Sequence, residues 1–424
     1  MKTTPFWPDD YPRPHDLPVA SALPARVDVA VIGGGYAGLN AAYTLAQHGT
    51  SVAVLEQHTI GWGASSRNGG ITGCGLKQGM PTLFKRYGEA RAREFWQASL
   101  DALEIIKTLG REEGIDCDWQ QRGDLSVAYK PSHLEGMRAR VAWHKKMLGH
   151  ELTLLSRDDL RGEIGSDAYY GGVLDPHGAG LHPAKLVFGL AQAAARHGAQ
   201  LCEQTEVQKV QPVPQGYLLH TSRGALAARE VVVATNGYTG RFMPAVRRLI
   251  IPAGSYSIVT EPLPADLQRE ISPKGRVFWD SKWFLNYFRL TPDGRMLWGG
   301  RNDLSTNLDL QKSARILHSQ MLRAFPQLQG YAVTHTWTGQ LGIPFDLIPK
   351  VGRLENGIHY AVGFGGHGLH MALYTGREVA RLLLGQISRT PFAEIPQTRY
   401  FFYRHKPWFM PLVASYYRAR DWLS

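Results

Sequence analysis

Three glycines at the spacing Gly33-x-Gly35-x-x-Gly38, with the acidic residue Glu56 further on, form the first set of residues that could do chemistry together. A glycine turn of this kind lets backbone N–H groups approach a pyrophosphate, which then lies on the positive end of the following helix. Glu56 comes 18 residues after Gly38, where a carboxylate can accept hydrogen bonds from a ribose diol. The set predicts a dinucleotide site and does not separate NAD from FAD.

A polar loop, GWGASSRNGG at 61–70, follows soon after Glu56. Its serines, arginine and asparagine are flanked by glycines that expose backbone amides, so the loop could surround a phosphate and the edge of a flavin ring. An ordinary surface loop has a similar composition, and that interpretation stays open.

A second glycine-rich turn, GFGGHGLH at 363–370, lies between an apolar run and a helix-like stretch. A strand-to-helix junction of this kind directs free N–H groups and a helix N-terminus at a negative charge. His367 and His370 could add hydrogen bonds or a positive charge. The alternative is a buried turn with two histidines of no special role.

The elements that must position these turns follow from the periodicity. Residues 27–55 read as a buried strand, a glycine turn, a helix closed by Gly49 and a second buried strand. This parallel pattern recurs in three pieces, with helical and antiparallel material between them. We therefore predict an α/β fold (α+β overall) with a discontinuous three-layer Rossmann-like, glutathione-reductase-like domain interrupted by a substrate domain with an antiparallel sheet and helices. The predicted limits are 1–26 for an extended lead-in, 27–80, 166–245 and 335–398 for the nucleotide domain, 81–165 and 246–334 for the substrate domain, and 399–424 for a C-terminal segment.

Composition narrows the class of protein. The 424 residues are 44% hydrophobic and 20% charged, which is typical of a globular chain. No apolar run reaches the ~18 residues of a membrane span, and the N-terminus has no signal-like apolar region. Cys74, Cys117 and Cys202 form no CxxC pair, and neither HExxH nor GxSxG occurs. We expect a cytoplasmic protein with no metal site.

The net charge of +11 admits nucleic acid, an anionic membrane surface or an anionic ligand as a partner. The sequence contains no RRM, KH or OB pattern, so we expect no nucleic acid. The tail from 398 onward interleaves aromatic and basic residues, as interfacial segments do. Either it contacts a membrane peripherally or it packs back on the protein.

Four stretches carry a family resemblance: VIGGGYAGLNAAYTLAQHG, GWGASSRNGG, ATNGYTG and GFGGHGLHMA. They resemble the FAD-dependent amine and amino-acid oxidoreductases of the D-amino acid oxidase, glycine oxidase and sarcosine oxidase group, over nearly the whole chain from Val27. Within the group the chain is most similar to the γ-glutamylputrescine oxidases. The resemblance implies extended, non-covalent FAD, because HTWTGQLGIPFDL lacks the cysteine that often links the cofactor.

The resemblance also implies the FAD contacts. Those near the diphosphate and ribose are Gly33, Gly35, Tyr36, Ala37, Gly38, Glu56 and Gln57. Those near the adenine and the rest of the nucleotide are Val207, Ala234, Thr235 and Gly237. Those near the ribityl chain and ring are Ala64, Ser65, Ser66, Arg67, Asn68, Gly69 and Gly70, with Gly365, Gly366, His367, Gly368 and Leu369 on the late turn.

The implied reaction is hydride transfer from the α-carbon of a neutral amine to flavin N5. The resulting imine hydrolyses, and hydrogen peroxide forms if O2 is the acceptor. His367 and His370 are candidates to stabilise the reduced ring, and Lys282 and Arg289 are candidate cations for the reaction with O2. Tyr256, Trp283, Tyr287 and Trp337 could form an aromatic wall over the flavin. Solvent exposure of the cations and core packing of the aromatic residues are the alternatives.

The resemblance favours a primary amine on a longer, carboxylate-bearing molecule. A secondary or cyclic amino acid of the sarcosine, proline or pipecolate type is the alternative within the class. Two readings from other classes also stay open: a flavin-dependent tRNA-modifying enzyme, and a dehydrogenase that passes electrons to quinone at a membrane surface.

Overall fold

The structure is a computed structural model that describes residues 1–300, 304–396, 400, 403 and 407–423. The strands are β1 (Arg26–Ile32), β2 (Val52–Leu55), β3 (Ile71–Thr72), β4 (Asp124–Val127), β5 (Thr153–Leu155), β6 (Gly172–Asp175), β7 (Ala179–Gly180), β8 (Gln200–Cys202), β9 (Val207–Val213), β10 (Gly216–Thr221), β11 (Gly224–Val233), β12 (Ile251–Pro262), β13 (Val277–Asp280), β14 (Asn286–Leu290), β15 (Arg295–Gly300), β16 (Val333–Ile343), β17 (Lys350–Arg353) and β18 (His359–Val362). The helices are α1 (Phe6–Asp10), α2 (Tyr36–Gln47), α3 (Met80–Tyr87), α4 (Glu89–Glu113), α5 (Pro131–Leu148), α6 (Arg157–Leu160), α7 (Pro183–Arg196), α8 (Pro244–Arg247), α9 (Ala265–Ile271), α10 (Leu310–Ala324), α11 (Gly368–Leu383) and α12 (Met410–Leu423).

The first sheet has the strand order β17-β18-β11-β1-β2-β8, and the β9–β10 hairpin extends from β11. Its central strand β1 pairs in parallel with β11 on one side and β2 on the other. Val29, Ala30, Val31 and Ile32 of β1 are all buried, as expected for a parallel strand covered on both faces. The strand order reverses at β1, and in such sheets a crevice opens at the carboxyl ends of the strands beside this point.

Helix α2 is buried between this sheet and helices α7 and α11. The side-chain amide of Asn40 in α2 donates a hydrogen bond to the carbonyl of Leu373 in α11 at 2.7 Å. A Cβ atom at Gly376 of α11 would lie 2.1 Å from the Ala37 carbonyl oxygen, so the two helices approach to backbone contact. The N-termini of α2 and α11 each follow one of the two glycine turns.

The second sheet has the order β16-β12-β15-β14-β13-β4-β6-β5 and is antiparallel except for the parallel pair β13–β4. Its core includes a stack in which the Phe288 ring lies 5.1 Å from that of Phe278 and 4.5 Å from that of Trp298. The predicted α/β fold with a second, largely antiparallel sheet is confirmed. Strands β6 and β16, whose segments the prediction assigned mostly to the nucleotide domain, pair in this second sheet.

Both termini return to the body of the protein. The predicted extended lead-in contains helix α1, whose Phe6 and Trp7 are buried, and the Trp7 indole N–H donates to the Asn68 carbonyl at 2.7 Å. The Asp421 carboxylate of α12 accepts hydrogen bonds from the N–H groups of Trp283 and Phe284 at 2.7 and 3.0 Å. The predicted boundary at 398/399 lies outside the described residues. Among the described helices, none combines the length and apolarity that crossing a bilayer requires.

Candidate active site

A cavity of about 1120 Å³ begins at the carboxyl ends of β1, β2 and β11 and reaches the second sheet. Ligand pockets for drug-sized molecules are typically ~300–1000 Å³, so this cavity can hold a dinucleotide and part of a second molecule. Both glycine turns line it, although more than 320 residues separate them in the chain. The two turns therefore serve one continuous site.

The first turn is tight because only glycine fits at two of its positions. Gly33 has φ +111°, and a Cβ atom at Gly38 would lie 1.9 Å from the Gly33 carbonyl oxygen. Gly35 caps α2 without a side chain of its own, and the Tyr36 N–H donates to the Ser65 hydroxyl at 2.9 Å. The N-terminus of α2 therefore faces the cavity, as an anion site at a helix N-terminus requires.

Glu56 lies at the end of β2 and lines the cavity beside this turn. Its carboxylate accepts hydrogen bonds from the N–H groups of Gly34 at 2.7 Å and His58 at 2.9 Å. Burial raises its pKa above the usual value, against the opposing effect of these two hydrogen bonds. Val207, Ala234, Thr235 and Gly237 line the same region, near the end of β11 and the start of β9.

The loop 61–70 is held by hydrogen bonds from its own side chains. Asn68 donates to the carbonyls of Ala64 and Ser65 and accepts from the Gly70 N–H. The Arg67 guanidinium donates to the Trp62 carbonyl at 2.7 Å and lies 4.4 Å from the Trp62 ring. These contacts hold the loop open toward the cavity.

The late turn connects β18 to α11. Gly365 and Gly366 have φ +60° and +102°, a conformation that favours glycine. His370 is buried one turn into α11, its Nδ1 lies 2.8 Å from the Thr72 hydroxyl, and burial lowers its pKa to about 4. The ring is therefore neutral at pH 7. The N-terminus of α11 and its N–H groups contribute a positive field on this side, and Lys77 also lines the cavity beside Gly365.

Most of the predicted contacts line the cavity: Gly33, Gly35, Tyr36, Ala37, Glu56, Gln57, Ala64, Ser65, Arg67, Asn68, Gly69, Val207, Ala234, Thr235, Gly237, Gly365, Gly366, His367, Gly368, Leu369 and His370. Those that do not line it are Gly38, Ser66, Gly70, Tyr256, Lys282, Arg289 and Trp337. Gly38 and Ser66 instead shape the turns, since the Ser66 hydroxyl donates to the Gly61 carbonyl at 2.7 Å.

The other predicted catalytic side chains are engaged elsewhere. The buried Trp337 donates its indole N–H to the Arg67 carbonyl at 2.9 Å, and Tyr256 donates its hydroxyl to the Ser305 carbonyl at 2.7 Å. Lys282 forms an ion pair with Asp280 at 2.9 Å. Of the four aromatic residues considered for a wall, Tyr287 lines the cavity, whereas Trp283 is 49% exposed.

Arg289 is fully enclosed and supports the cavity from behind. Its Nη1 donates to the carbonyls of Gly70 at 2.6 Å and Leu181 at 2.9 Å, and its Nε donates to the Leu290 carbonyl at 3.0 Å. Burial lowers its pKa to about 10, a value at which it is still charged near pH 7. Arg289 therefore fixes the end of the loop 61–70, and its side chain does not line the cavity.

Sequence reasoning missed the part of the cavity that the second sheet forms. Asp124, Arg140, His144 and Asp175 line it, from β4, α5 and β6. No local motif marks these residues, because each is a single polar residue in an unremarkable strand or helix. The only available signal was polarity at β4 and β6 positions where strand patterning predicts an apolar residue.

Comparison with known proteins agrees with this geometry. A family model described as FAD dependent oxidoreductase (DAO) matches residues 28–382. The chain is 34% identical over 408 residues to γ-glutamylputrescine oxidoreductase of Escherichia coli (strain K12), covering 94% of this chain and 93% of that protein. It is 32% identical over 374 residues to a probable oxidoreductase, OrdL, of Haemophilus influenzae, covering 87% and 85%. The crystal structure of glycine oxidase from Geobacillus kaustophilus superposes with a TM-score of 0.77 at 21% identity, covering 89% of this chain and all of that one.

The residues present fit FAD. A side chain at Gly35 would reach to 2.8 Å from the Ser65 hydroxyl and fill the space in front of the first turn. At the other turn, Nε2 of His370 is enclosed without a hydrogen-bond partner among the described residues, although the ring lines the cavity. A dinucleotide with a polar ring system would use both features.

Proposed function

The chain belongs to the DAO family of FAD-dependent oxidoreductases, and from this premise we propose that it oxidises the C–N bond of a primary amine carried by a longer, carboxylate-bearing molecule. Within the family it is an enzyme acting on amine or amino-acid substrates. The similarity to γ-glutamylputrescine oxidoreductase supports an aminoalkyl amide of glutamate as the substrate class. The observation that carries the proposal is the single cavity that joins both glycine turns to a polar region of the second sheet.

The residues of the first turn would hold the diphosphate of FAD on the N-terminus of α2, and Glu56 would accept hydrogen bonds from the ribose. Bound FAD supplies a hydride acceptor at N5 and passes the electrons to O2 or another acceptor. The N-terminus of α11 and the N–H groups of the late turn are placed to stabilise negative charge on the ring. Asn68 and Arg67, which fix the loop 61–70 through hydrogen bonds within it, would keep that loop beside the ring.

The substrate side of the cavity favours a neutral, oriented amine. Trp96, Leu152, Trp279, Leu285 and Tyr287 line it and limit the access of water. Hydride transfer from a neutral amine depends on orientation and desolvation more than on a strong base. This region would therefore supply orientation and desolvation of the amine, and the reaction would need no acid–base dyad.

The test is a panel of amines added anaerobically to the purified yellow protein. We expect γ-glutamylputrescine and similar aminoalkyl amides to bleach the flavin absorbance, and peroxide to form on admission of air if O2 is the acceptor. Bleaching by sarcosine or proline alone would replace the proposed substrate class with secondary amino acids. A colourless protein that cannot be reconstituted with FAD, or a flavin that no amine bleaches, would overturn the proposal.

A further inference from the structure

The cavity has a polar end, formed by Asp124, Arg140, His144 and Asp175. Asp124 is the first residue of β4, Asp175 is the last of β6, and Arg140 and His144 lie one turn apart on α5. All four line the same cavity as the two glycine turns. A group bound here would therefore belong to a molecule that also reaches toward the cofactor.

Arg140 is enclosed at this end of the cavity. Burial lowers the pKa of its guanidinium, and the nearby Asp124 and Asp175 oppose that effect. Its Nη2 donates to the Ser126 hydroxyl at 3.3 Å, and its Nε is enclosed without a hydrogen-bond partner among the described residues. The described part of the chain shows no ion pair for this guanidinium. An enclosed guanidinium with unused N–H donors is costly, and its planar set of donors matches a carboxylate in a bidentate arrangement.

Asp124 is the carboxyl group that faces the same end of the cavity, with Arg140 nearby. It is 3% exposed. Asp175 is engaged by His150 at 2.8 Å and by His177 at 3.2 Å. Burial and the neighbouring Asp175 raise the pKa of Asp124 well above its usual value, against the opposing effect of Arg140. A bound ammonium group would further stabilise the charged form of this carboxyl group.

His144 completes the polar end as a neutral group. Burial and the nearby Arg140 lower its pKa to about 4. Its Nδ1 is enclosed without a hydrogen-bond partner in the described part of the chain. The polar end thus offers one guanidinium with an unused N–H donor, one buried carboxyl group and one neutral ring.

We propose that the polar end binds the zwitterionic head of an α-amino acid group at the far end of the amine substrate, with Arg140 pairing with its carboxylate and Asp124 with its ammonium. This assignment rests on the proposed function. A simple diamine would bring no carboxylate to the unused donors of Arg140, and an acyl group with only a carboxylate would bring no ammonium to Asp124. A substrate that carries both charges satisfies the two side chains together.

Three substrates with the same aminobutyl amide end test the two contacts separately. γ-Glutamylputrescine carries both charges, N-succinylputrescine carries the carboxylate alone, and N-acetylputrescine carries neither. We expect kcat/KM to fall in that order. Arg140→Met should lower kcat/KM for the first two substrates by about tenfold to a hundredfold and leave the third unchanged, while Asp124→Asn should affect γ-glutamylputrescine alone.

Matched control variants exist for both substitutions. Arg138→Met is the control for Arg140→Met, because Arg138 lies on the same helix with an exposed side chain paired with Glu135. Asp266→Asn is the control for Asp124→Asn, because Asp266 is exposed on α9. Neither should change the order of the three substrates. If Arg140→Met does not accumulate as yellow protein, Arg140→Lys carries the same test, with a smaller loss because the cation is kept but the fork geometry is not.

A molecule that cannot be oxidised separates this assignment from the proposed function. N5-Butylglutamine has the amino acid head and no terminal amine, so its binding, followed by perturbation of the flavin absorbance, reports on the polar end alone. Its Kd should rise in Arg140→Met and in Asp124→Asn. Binding without oxidation of any amine would overturn the proposed function and keep this inference. Equal kcat/KM for the three substrates, or an unchanged Kd in both variants, would overturn the inference itself.

Discussion

Charged side chains around the cavity divide into those that the protein satisfies and those that it leaves open. Arg289 donates to three backbone carbonyls, and Glu56 accepts from two backbone N–H groups. Arg140, by contrast, donates to the Ser126 hydroxyl and keeps an unpartnered Nε among the described residues, with the buried Asp124 nearby. Arg289 and Glu56 therefore maintain the shape of the site, whereas Arg140 and Asp124 are available to contact a substrate.

Replacement of Glu56 by Gln should weaken FAD binding. The variant keeps the size of the side chain but exchanges one acceptor oxygen for a donor beside the Gly34 and His58 N–H groups. Hydrogen bonds to a charged group contribute ~1.5–3 kcal/mol, so we expect the Kd for FAD to rise at least about tenfold. Quenching of flavin fluorescence on titration of the apoprotein measures this. Glu135→Gln, which changes an exposed side chain, should bind FAD as the unmodified protein does.

Even the conservative substitution Arg289→Lys should destabilise the protein. A lysine ammonium cannot reach the Gly70, Leu181 and Leu290 carbonyls with the same planar set of donors. Leaving buried carbonyls without donors costs ~1–3 kcal/mol in the free energy of unfolding. Denaturant unfolding followed by circular dichroism measures the loss. A Lys variant as stable as the original would contradict a structural role for Arg289.

At the scale of elements, the site depends on how closely α2 and α11 pack. Each helix starts at one of the two glycine turns, and their backbones meet where Gly376 faces Ala37. Any increase in their separation would move the N-terminus of α2 relative to that of α11. The distance between the two ends of the cofactor site is therefore set by a helix–helix contact.

Gly376→Ala should separate these helices. The added methyl group would lie 2.1 Å from the Ala37 carbonyl oxygen, and overpacking of this kind costs ~1–3 kcal/mol. Thermal unfolding and the FAD content of the purified variant measure the effect, and both should fall. Gly136→Ala on α5 is the matched control, because nothing lies within 4 Å of the added atom. That change should stabilise the helix by ~0.5–1 kcal/mol.

The elements also show which parts of the site could be predicted from the sequence. Each glycine turn is a local pattern of a strand, a turn and a helix, so Gly33 and Gly365 were identified from neighbouring residues. The polar end could not be predicted, because Asp124, Arg140 and Asp175 meet only through the pairing of β4 with β6 and the placement of α5. The sequence predicts Arg289 as a cation for the reaction with O2 because residue type reveals its charge but not its burial.

At the scale of the whole molecule, buried neutral histidines link stability to pH. Burial lowers the pKa of His144, His359 and His370 to about 4. The ordinary value is ~6.5, so between pH 6.5 and 4 the unfolded chain binds more protons than the folded one. The free energy of unfolding should therefore fall as the pH is lowered through this window.

His359→Gln removes one histidine that contributes to this pH dependence of stability and does not line the cavity. The side chain is buried on β18, and its contribution across the window amounts to at most about 3 kcal/mol. The variant should lose less stability than the unmodified protein between pH 7 and 4, as measured by denaturant unfolding at each pH. His15→Gln, at an exposed position, should keep the original slope. Equal slopes for His359→Gln and the unmodified protein would contradict the assignment.

The pairing of an early glycine turn with a late one constrains how the protein is made. A nascent chain that has left the ribosome as far as β11 has the first turn and its helix, but β18 and α11 are still to be synthesised. The ring end of the flavin pocket does not exist until those last segments emerge and dock on α2. A site that contacts both ends of the cofactor therefore exists only when nearly the entire polypeptide has been made, and a chain that ends before α11 would lack the contacts at the ring end.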